Sequence, residues 1–223
     1  MNDKKGTIGL VLLAGAAISF YLYSFFQSPP PRNAEITNLS DRSATFIFKT
    51  EAPAETSVLT CDAAWKMSLP FLNRLICQTA FAETLRNGLI HSVTVRGLQP
   101  GKTYFCRIGS GIRLFGSRST VDGGSWNLRT KSTILAAPTN MVGGTILKRS
   151  GQKAAGAVVI LRFLPGETLS AVTDENGRWQ MDLAAEPDWQ ASAILLVVEG
   201  GGMGSTVVPI TDKGQLQGTV TLK

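Results

Sequence analysis

The sequence predicts an all-β protein in which two tandem β-sandwiches follow an N-terminal transmembrane helix. Three observations support this fold class. Residues 7–27 carry no charge and are long enough to cross a bilayer core as a helix. Alternating apolar and polar runs, typical of half-buried strands, recur along the rest of the chain between turns rich in Gly and Pro. A chain of 223 residues has room for this segment and two domains of about 100 residues each.

The N-terminal segment predicts a membrane anchor. Lys4 and Lys5 precede the uncharged stretch and aromatic residues cluster at its far end, so we expect the N-terminus in the cytoplasm. Both sandwiches would then lie outside a bacterial cell membrane that the chain crosses once. A cleavable signal peptide is an alternative, because residues 14–16 have the small-x-small form. A pilin-type leader is another, although the Glu that pilins carry near the helix start is missing.

Charge and composition divide the chain into four parts. We expect the anchor and a stiff Pro-rich spacer at 1–31, the first sandwich at 32–131, a linker at 132–138 and the second sandwich at 139–223. The first sandwich carries 13 Lys and Arg against 7 Asp and Glu, and the chain after it 7 against 8. The basic sandwich suits a protein partner or an anionic envelope polymer or lipid surface. Nucleic acid is not expected, because the anchor directs the domain out of the cytoplasm.

A turn in the first sandwich predicts a corner between two sheets. Val93 and Val95 share one face of the strand before it, and Tyr104 begins the apolar face of the strand after it. Between them, Leu98 and Pro100 belong to an L-x-P-G-x-x-Y sequence. An aromatic ring with one polar end suits a corner that is dry below and wet above. We therefore expect the Tyr104 hydroxyl to bond back to the turn backbone, as in a tyrosine corner.

This corner and the strands before it resemble a known family. The stretches 34–39, 43–50 and 56–61, followed by H-x-V-x-V and L-x-P-G-x-x-Y, resemble the fibronectin type III-like domain that precedes the catalytic domain of purple acid phosphatases. That domain also occurs alone in bacterial surface proteins. The resemblance covers most of 32–131 and implies the fold but no activity.

The insertion at 62–88 has no counterpart in a simple sandwich and is too apolar for a solvated loop. It either packs on the sandwich as a plug or forms a partner-binding flap. Trp65, Leu69 and Phe71 are its candidate contact residues. The plug is the favoured interpretation, and it predicts that Trp65 and Phe71 are buried.

The connection at 110–124 is a second candidate contact region. It contains Arg113, Phe115 and Arg118, and loops on a rigid sandwich often carry recognition. The alternative is a mobile hairpin tip.

Three cysteines in an exported chain predict a disulfide. Cys61 is expected to face outward with the insertion, which contains Cys77, so this pair is the easier one to join. It would close a loop of about 15 residues, worth roughly 3 kcal/mol. Cys106 shares the buried face of Tyr104 and would remain a free thiol. Pairing of Cys77 with Cys106 is the alternative.

The second sandwich carries its own signature. Gly144, Gly151, the run 156–159 and the run 173–179 resemble the carboxypeptidase regulatory-like domain, a transthyretin-like sandwich. Within the last run, Asn176 and Gly177 predict a hairpin turn, since they tolerate positive φ. Its oxygen donors also suggest calcium, but the Glu that would complete an EF-hand loop is missing.

No catalytic, metal or cofactor constellation can be assembled around His91, the sole histidine. We therefore expect a protein that is not an enzyme but a membrane-anchored binding or scaffold protein at the cell surface. One alternative is a minor component of a pilus or secretion machine. Another is an accessory or sensor subunit of a separately encoded hydrolase.

Overall fold

The computed structural model describes residues 15, 16, 18, 19, 28–67, 72–82, 89–116, 126–133, 140–163, 167–183, 193–198, 205–210 and 218–222. The predicted anchor at 7–27 lies outside these residues except for four positions. Within the described part, no helix has the length and apolar character needed to cross a membrane.

The first unit is a fibronectin type III-like β-sandwich. One sheet has the order β1-β2-β5, and the other has β4-β3-β6, with β7 and β8 both paired to β6. All of these pairs are antiparallel. The strands are β1 Arg32–Thr37, β2 Ser43–Lys49, β3 Thr56–Cys61, β4 Gln78–Phe81, β5 Ile90–Arg96, β6 Thr103–Ser110, β7 Arg113–Phe115 and β8 Trp126–Arg129. Two helices of one turn each, α1 Ala64–Met67 and α2 Asn73–Ile76, lie between β3 and β4.

The core of the first unit follows the alternation in the sequence. Phe46 and Phe48 on β2 lie on the same inner face as Val93 and Val95 on the neighbouring β5, and all four are fully buried. At the corner, the Tyr104 hydroxyl accepts a hydrogen bond of 2.9 Å from the backbone N–H of Gln99. This is the bond of a tyrosine corner.

The second unit is also a two-sheet β-structure, with the orders β11-β10-β13-β14 and β12-β9-β15. The strands are β9 Met141–Leu147, β10 Val158–Phe163, β11 Thr168–Val172, β12 Arg178–Asp182, β13 Ala193–Val198, β14 Ser205–Ile210 and β15 Thr219–Thr221. The β15–β9 pair is parallel, and the other pairs are antiparallel. Trp179 and Met181 on β12 and Leu183 just after it alternate inward and share a buried core with Leu161. Together with the first unit, this confirms the all-β class.

The turn at 174–177 differs from the predicted hairpin. β11 and β12 lie in different sheets, so the turn carries the chain across the sandwich. The two strands show the same apolar alternation whether the turn joins neighbours in one sheet or strands of opposite sheets. The sequence pattern therefore does not distinguish a hairpin from a connection between sheets. Asp174 Oδ1 accepts bonds of 2.8 Å from the N–H groups of Asn176 and Arg178 and is thus used by the turn itself. Gly177 has a φ of 68°, and a Cβ there would lie 2.5 Å from the Ile146 carbonyl oxygen.

The two units contact each other through sheet faces that would otherwise meet water. Ile47 and Ile90 point away from the first core and pack on Val158 and Ile160 of β10. Beside them, Arg162 Nη2 lies 2.6 Å from Glu35 Oε2, and this hydrogen bond raises the pKa of Arg162. Apolar packing and a two-point ion pair therefore fix β1 and β2 against β10.

Candidate contact surface

A disulfide closes the inserted segment onto the first sandwich. Cys61, the last residue of β3, is bonded to Cys77, and their Cα atoms are 4.8 Å apart. Residues 62–76 between them are called the stapled segment below, and 68–71 lie outside the described residues. Cys106 is buried and free.

Met67 anchors the stapled segment. Its side chain is 3% exposed and packs with Leu59 and Cys61 on the outward face of the sheet, where Phe105 and Leu114 complete the cluster. Its carbonyl oxygen accepts a bond of 3.2 Å from Arg107 Nη1, and burial lowers the pKa of Arg107. The residue pattern of 62–88 does not distinguish Met67 from the other apolar residues there. Trp65 and Met67 are two residues apart, which on a helical turn places them about 200° apart around the axis.

The other large apolar side chains that the structure describes between 62 and 82 are exposed. Trp65 is 62% exposed and Leu75 is 80% exposed, so the expectation that Trp65 is buried in a plug is wrong. The side chain of this turn that packs on the sheet is Met67, and the helical geometry turns Trp65 away from it. Leu69 and Phe71 lie outside the described residues. Among the described residues of 62–82, the large exposed apolar side chains are Trp65, Leu72, Leu75, Ile76 and Phe81.

Cationic groups border this apolar surface. Lys66 Nζ lies 2.6 Å from Asp62 Oδ1 and 5.8 Å from the centre of the Trp65 ring. The hydrogen bond from Lys66 lowers the pKa of Asp62. Arg74 Nη2 donates a 3.4 Å bond to the carbonyl oxygen of Ile112, at the turn between β6 and β7. A carbonyl is a neutral acceptor, so this contact does not neutralise the charge of Arg74.

The described part of the second predicted contact region, residues 110–116, mainly forms a strand and a turn of the first sandwich. Phe115 is 6% exposed and is therefore not available as a contact residue. It is buried because residues 113–115 form β7 and pair with β6, with Phe115 opposite Ile108. The Arg113 guanidinium lies over the Phe115 ring at 4.9 Å. Arg118 lies outside the described residues.

The chain enters the first unit beside the same β6–β7 turn. Ser28 is buried, and a Cβ placed on Gly111 would lie 2.5 Å from Ser28 Oγ. Gly111 has a φ of 55°, so glycine suits both the backbone and the close approach. Ile112, which binds Arg74, is the next residue. The entry of the chain and the stapled segment thus meet at one end of the sandwich.

His91 and Cys106, two groups that could take part in chemistry, are buried in the first core. The His91 ring stacks on Phe48 at 5.2 Å, and Nε2 is 2.7 Å from Thr50 Oγ1. Burial lowers the pKa of His91 to about 4 and raises that of Cys106 to about 12. In the described part of the chain, no group of three His, Cys, Asp or Glu side chains is placed to hold a metal ion.

No protein-family model and no curated protein matches the chain. Among solved structures, it is similar to PhoD, with 11% identity and a TM-score of 0.32 over 55% of this chain and 23% of PhoD. The sensor domain of the anti-sigma factor RsgI4 from Pseudobacteroides cellulosolvens aligns at 15% identity and a TM-score of 0.30, over 48% of this chain and 98% of that one. The central fibronectin-III array of RIM-binding protein aligns at 10% identity and a TM-score of 0.29, over 82% and 64%. These overall likenesses are low, and the class of fold follows from the strand order and register themselves.

Proposed function

We propose that this chain is a membrane-anchored, extracytoplasmic binding or scaffold protein without catalytic activity, which presents two β-sandwiches for contacts with a protein or an anionic envelope polymer. One observation carries the proposal: a disulfide holds the stapled segment on a rigid sheet while large apolar side chains, including Trp65 and Leu75, face outward. Several large exposed apolar side chains on one short segment are typical of contact sites. A rigid scaffold beneath a variable segment is how sandwich domains present such sites.

Export is supported by the cysteines and the N-terminal sequence. Structural disulfides persist in oxidising compartments, and Cys61–Cys77 joins the end of β3 to the end of the inserted segment. Lys4 and Lys5 before the uncharged residues 7–27 favour an orientation with the domains outside.

The absence of catalysis is part of the proposal and has its own support. Catalytic acids and nucleophiles are reachable and have a pKa near the working pH. His91 is 1% exposed and Cys106 is fully buried, with pKa values of about 4 and about 12. We further propose that the second unit is a carboxypeptidase regulatory-like domain that acts as a spacer. Its glycine and turn residues and its two-sheet arrangement support this assignment.

Protease treatment of intact spheroplasts tests the location. External protease should degrade both sandwiches. A cytoplasmic marker protein in the same spheroplasts should stay intact, which shows that the membrane is closed. Protection of both domains in intact spheroplasts, with digestion after lysis, would show that the chain is not exported.

Partner capture tests the contact role. Full-length protein is cross-linked in membranes and purified in mild detergent, with Trp65→Ala compared to Met141→Ala. Met141 is 52% exposed on the second unit, so it is a matched loss of exposed apolar surface elsewhere. A cross-linked species should disappear with Trp65→Ala alone. An identical pattern for both variants would remove the stapled segment from the contact role.

A further inference from the structure

We propose that the surface formed by the exposed Trp65, Leu72, Leu75, Ile76 and Arg74 and the half-buried Lys66, called the apolar–basic surface, lies on the headgroup region of an anionic phospholipid bilayer. The proposal deepens the proposed function and rests on its membrane anchoring. The occupant is the membrane itself, on the side to which the sandwiches are exported.

The chemistry of the surface fits the boundary between water and lipid. Tryptophan and long cationic side chains prefer this layer, since each has an apolar body and a polar tip. Leu75 and Ile76 follow Arg74 directly in the short helix α2, so apolar and cationic groups are interleaved. Lys66 lies near the Trp65 ring. Because Lys66 is paired with Asp62, Arg74 is the cation of this surface that an anionic headgroup would attract, by about 1 kcal/mol.

The position of the surface is the second line of argument. Arg74 contacts Ile112, and Ser28 lies against Gly111, the preceding residue of the same turn. Ser28 is the first residue after the uncharged stretch 7–27. Each residue extends the chain by at most about 3.6 Å, so a bilayer that holds 7–27 must lie close to this end of the sandwich. The apolar–basic surface is therefore at the membrane-proximal end.

Two of the neighbouring carboxylates are paired with cations. Asp62 is paired with Lys66, and Glu51, near the chain entry, is paired with Arg32 at 2.7 Å. Glu55 is exposed, and its carbonyl oxygen accepts a 2.8 Å bond from the N–H of Gly111. The first sandwich as a whole still has an excess of Lys and Arg. Tethering favours the bilayer over a protein partner, because a linked surface is present at high effective concentration.

Quenching by brominated lipid tests the proposal on the full chain. The protein is reconstituted into vesicles of phosphatidylcholine with phosphatidylglycerol, in which a fraction of the lipids carries bromine in the upper acyl chain. Trp65 fluorescence is obtained as the difference between the protein and its Trp65→Phe variant, since Trp126, Trp179 and Trp189 remain in both. We expect the Trp65 component to be quenched. Arg74→Glu should remove most of that quenching, whereas Arg149→Glu, at an exposed site of the second unit, should not.

Flotation of the same vesicles at alkaline pH shows whether the chain is inserted in the bilayer. It therefore distinguishes a failure of the lipid contact from a failure of the membrane anchoring. Chains that float while their Trp65 component is unquenched would overturn the lipid contact and leave the anchored binding protein standing, with a protein partner as the remaining occupant. Chains that do not float would overturn both. Equal quenching in vesicles of phosphatidylcholine alone, unchanged by Arg74→Glu, would contradict the anionic requirement. Thermal unfolding of each variant in detergent checks that the sandwich is intact.

Discussion

The side chain of Asn38, at the end of β1, binds both main-chain groups of Ser170 in β11. Its Nδ2 donates to the Ser170 carbonyl oxygen at 2.9 Å, and its Oδ1 accepts from the Ser170 N–H at 2.9 Å. β11 is at the edge of its sheet, so these groups would otherwise be open to another strand. Asn38 has a φ of 49°, a conformation that asparagine tolerates better than most residues.

Asn38→Gly should weaken the contact between the units. It keeps the left-handed backbone but removes the bonds to Ser170, so we expect the free energy of unfolding to fall by about 1–3 kcal/mol. Asn33→Gly is the matched control, because Asn33 also has a positive φ, of 51°. Denaturant unfolding measures both. An equal loss in the two variants would mean that the bonds to Ser170 contribute nothing.

Tyr104→Phe should lower the stability by about 1 kcal/mol, since it removes the acceptor of the Gln99 N–H. Tyr104→Ala should cost more, about 3–5 kcal/mol, because it also leaves a cavity beneath the turn. Thermal unfolding checks both values. Unchanged melting temperatures in both variants would refute the role of the corner.

His91 should make stability depend on pH. Its folded pKa of about 4 lies below the ordinary value of 6.5. Between these values the unfolded chain binds a proton that the folded chain does not, so this contribution is complete above pH 6.5 and is lost as the pH falls toward 4. At about 1.4 kcal/mol per unit, the loss is roughly 3 kcal/mol. His91→Gln should flatten this part of the curve in chemical unfolding; an unchanged slope would assign it to other groups.

The thiols should react in a fixed order. Cys106 is buried with a pKa of about 12, and the other two cysteines are bonded, so iodoacetamide should not modify the native, unreduced protein. Unfolding without reductant should expose Cys106 alone, and unfolding with reductant all three. Mass spectrometry with peptide mapping counts the adducts. Modification of Cys77 in the unreduced protein would contradict the Cys61–Cys77 pairing.

Met67 and Trp65 should behave differently although they are neighbours in the sequence. Met67→Ala should cost about 2–5 kcal/mol, because Met67 fills the space above Leu59 and Cys61. Trp65→Ala should change stability by no more than about 0.5 kcal/mol, as expected for an exposed residue. Chemical unfolding of the two variants decides this. A large loss for Trp65→Ala would restore the plug interpretation.

The sequence by itself determined which residues share a face. Alternation placed Phe46 with Phe48 and Val93 with Val95, and the Pro-Gly turn placed Tyr104 at a corner, because these are local consequences of strand and turn geometry. Cys61 could be placed on the outward face in the same way. Local geometry was sufficient for these features.

Only the tertiary structure decided what covers each face. Ile47 and Ile90 lie on the outward side of their sheet, yet they are buried because the second unit packs on them. Met67 rather than Trp65 is the anchor, and Phe115 is buried by pairing with β6. The turn between β6 and β7 brings Gly111 against Ser28. The same turn places the Ile112 carbonyl oxygen within reach of Arg74 in the stapled segment. Each of these contacts joins residues that are distant in sequence, and the periodicity of a strand contains no information about what lies opposite its outward face.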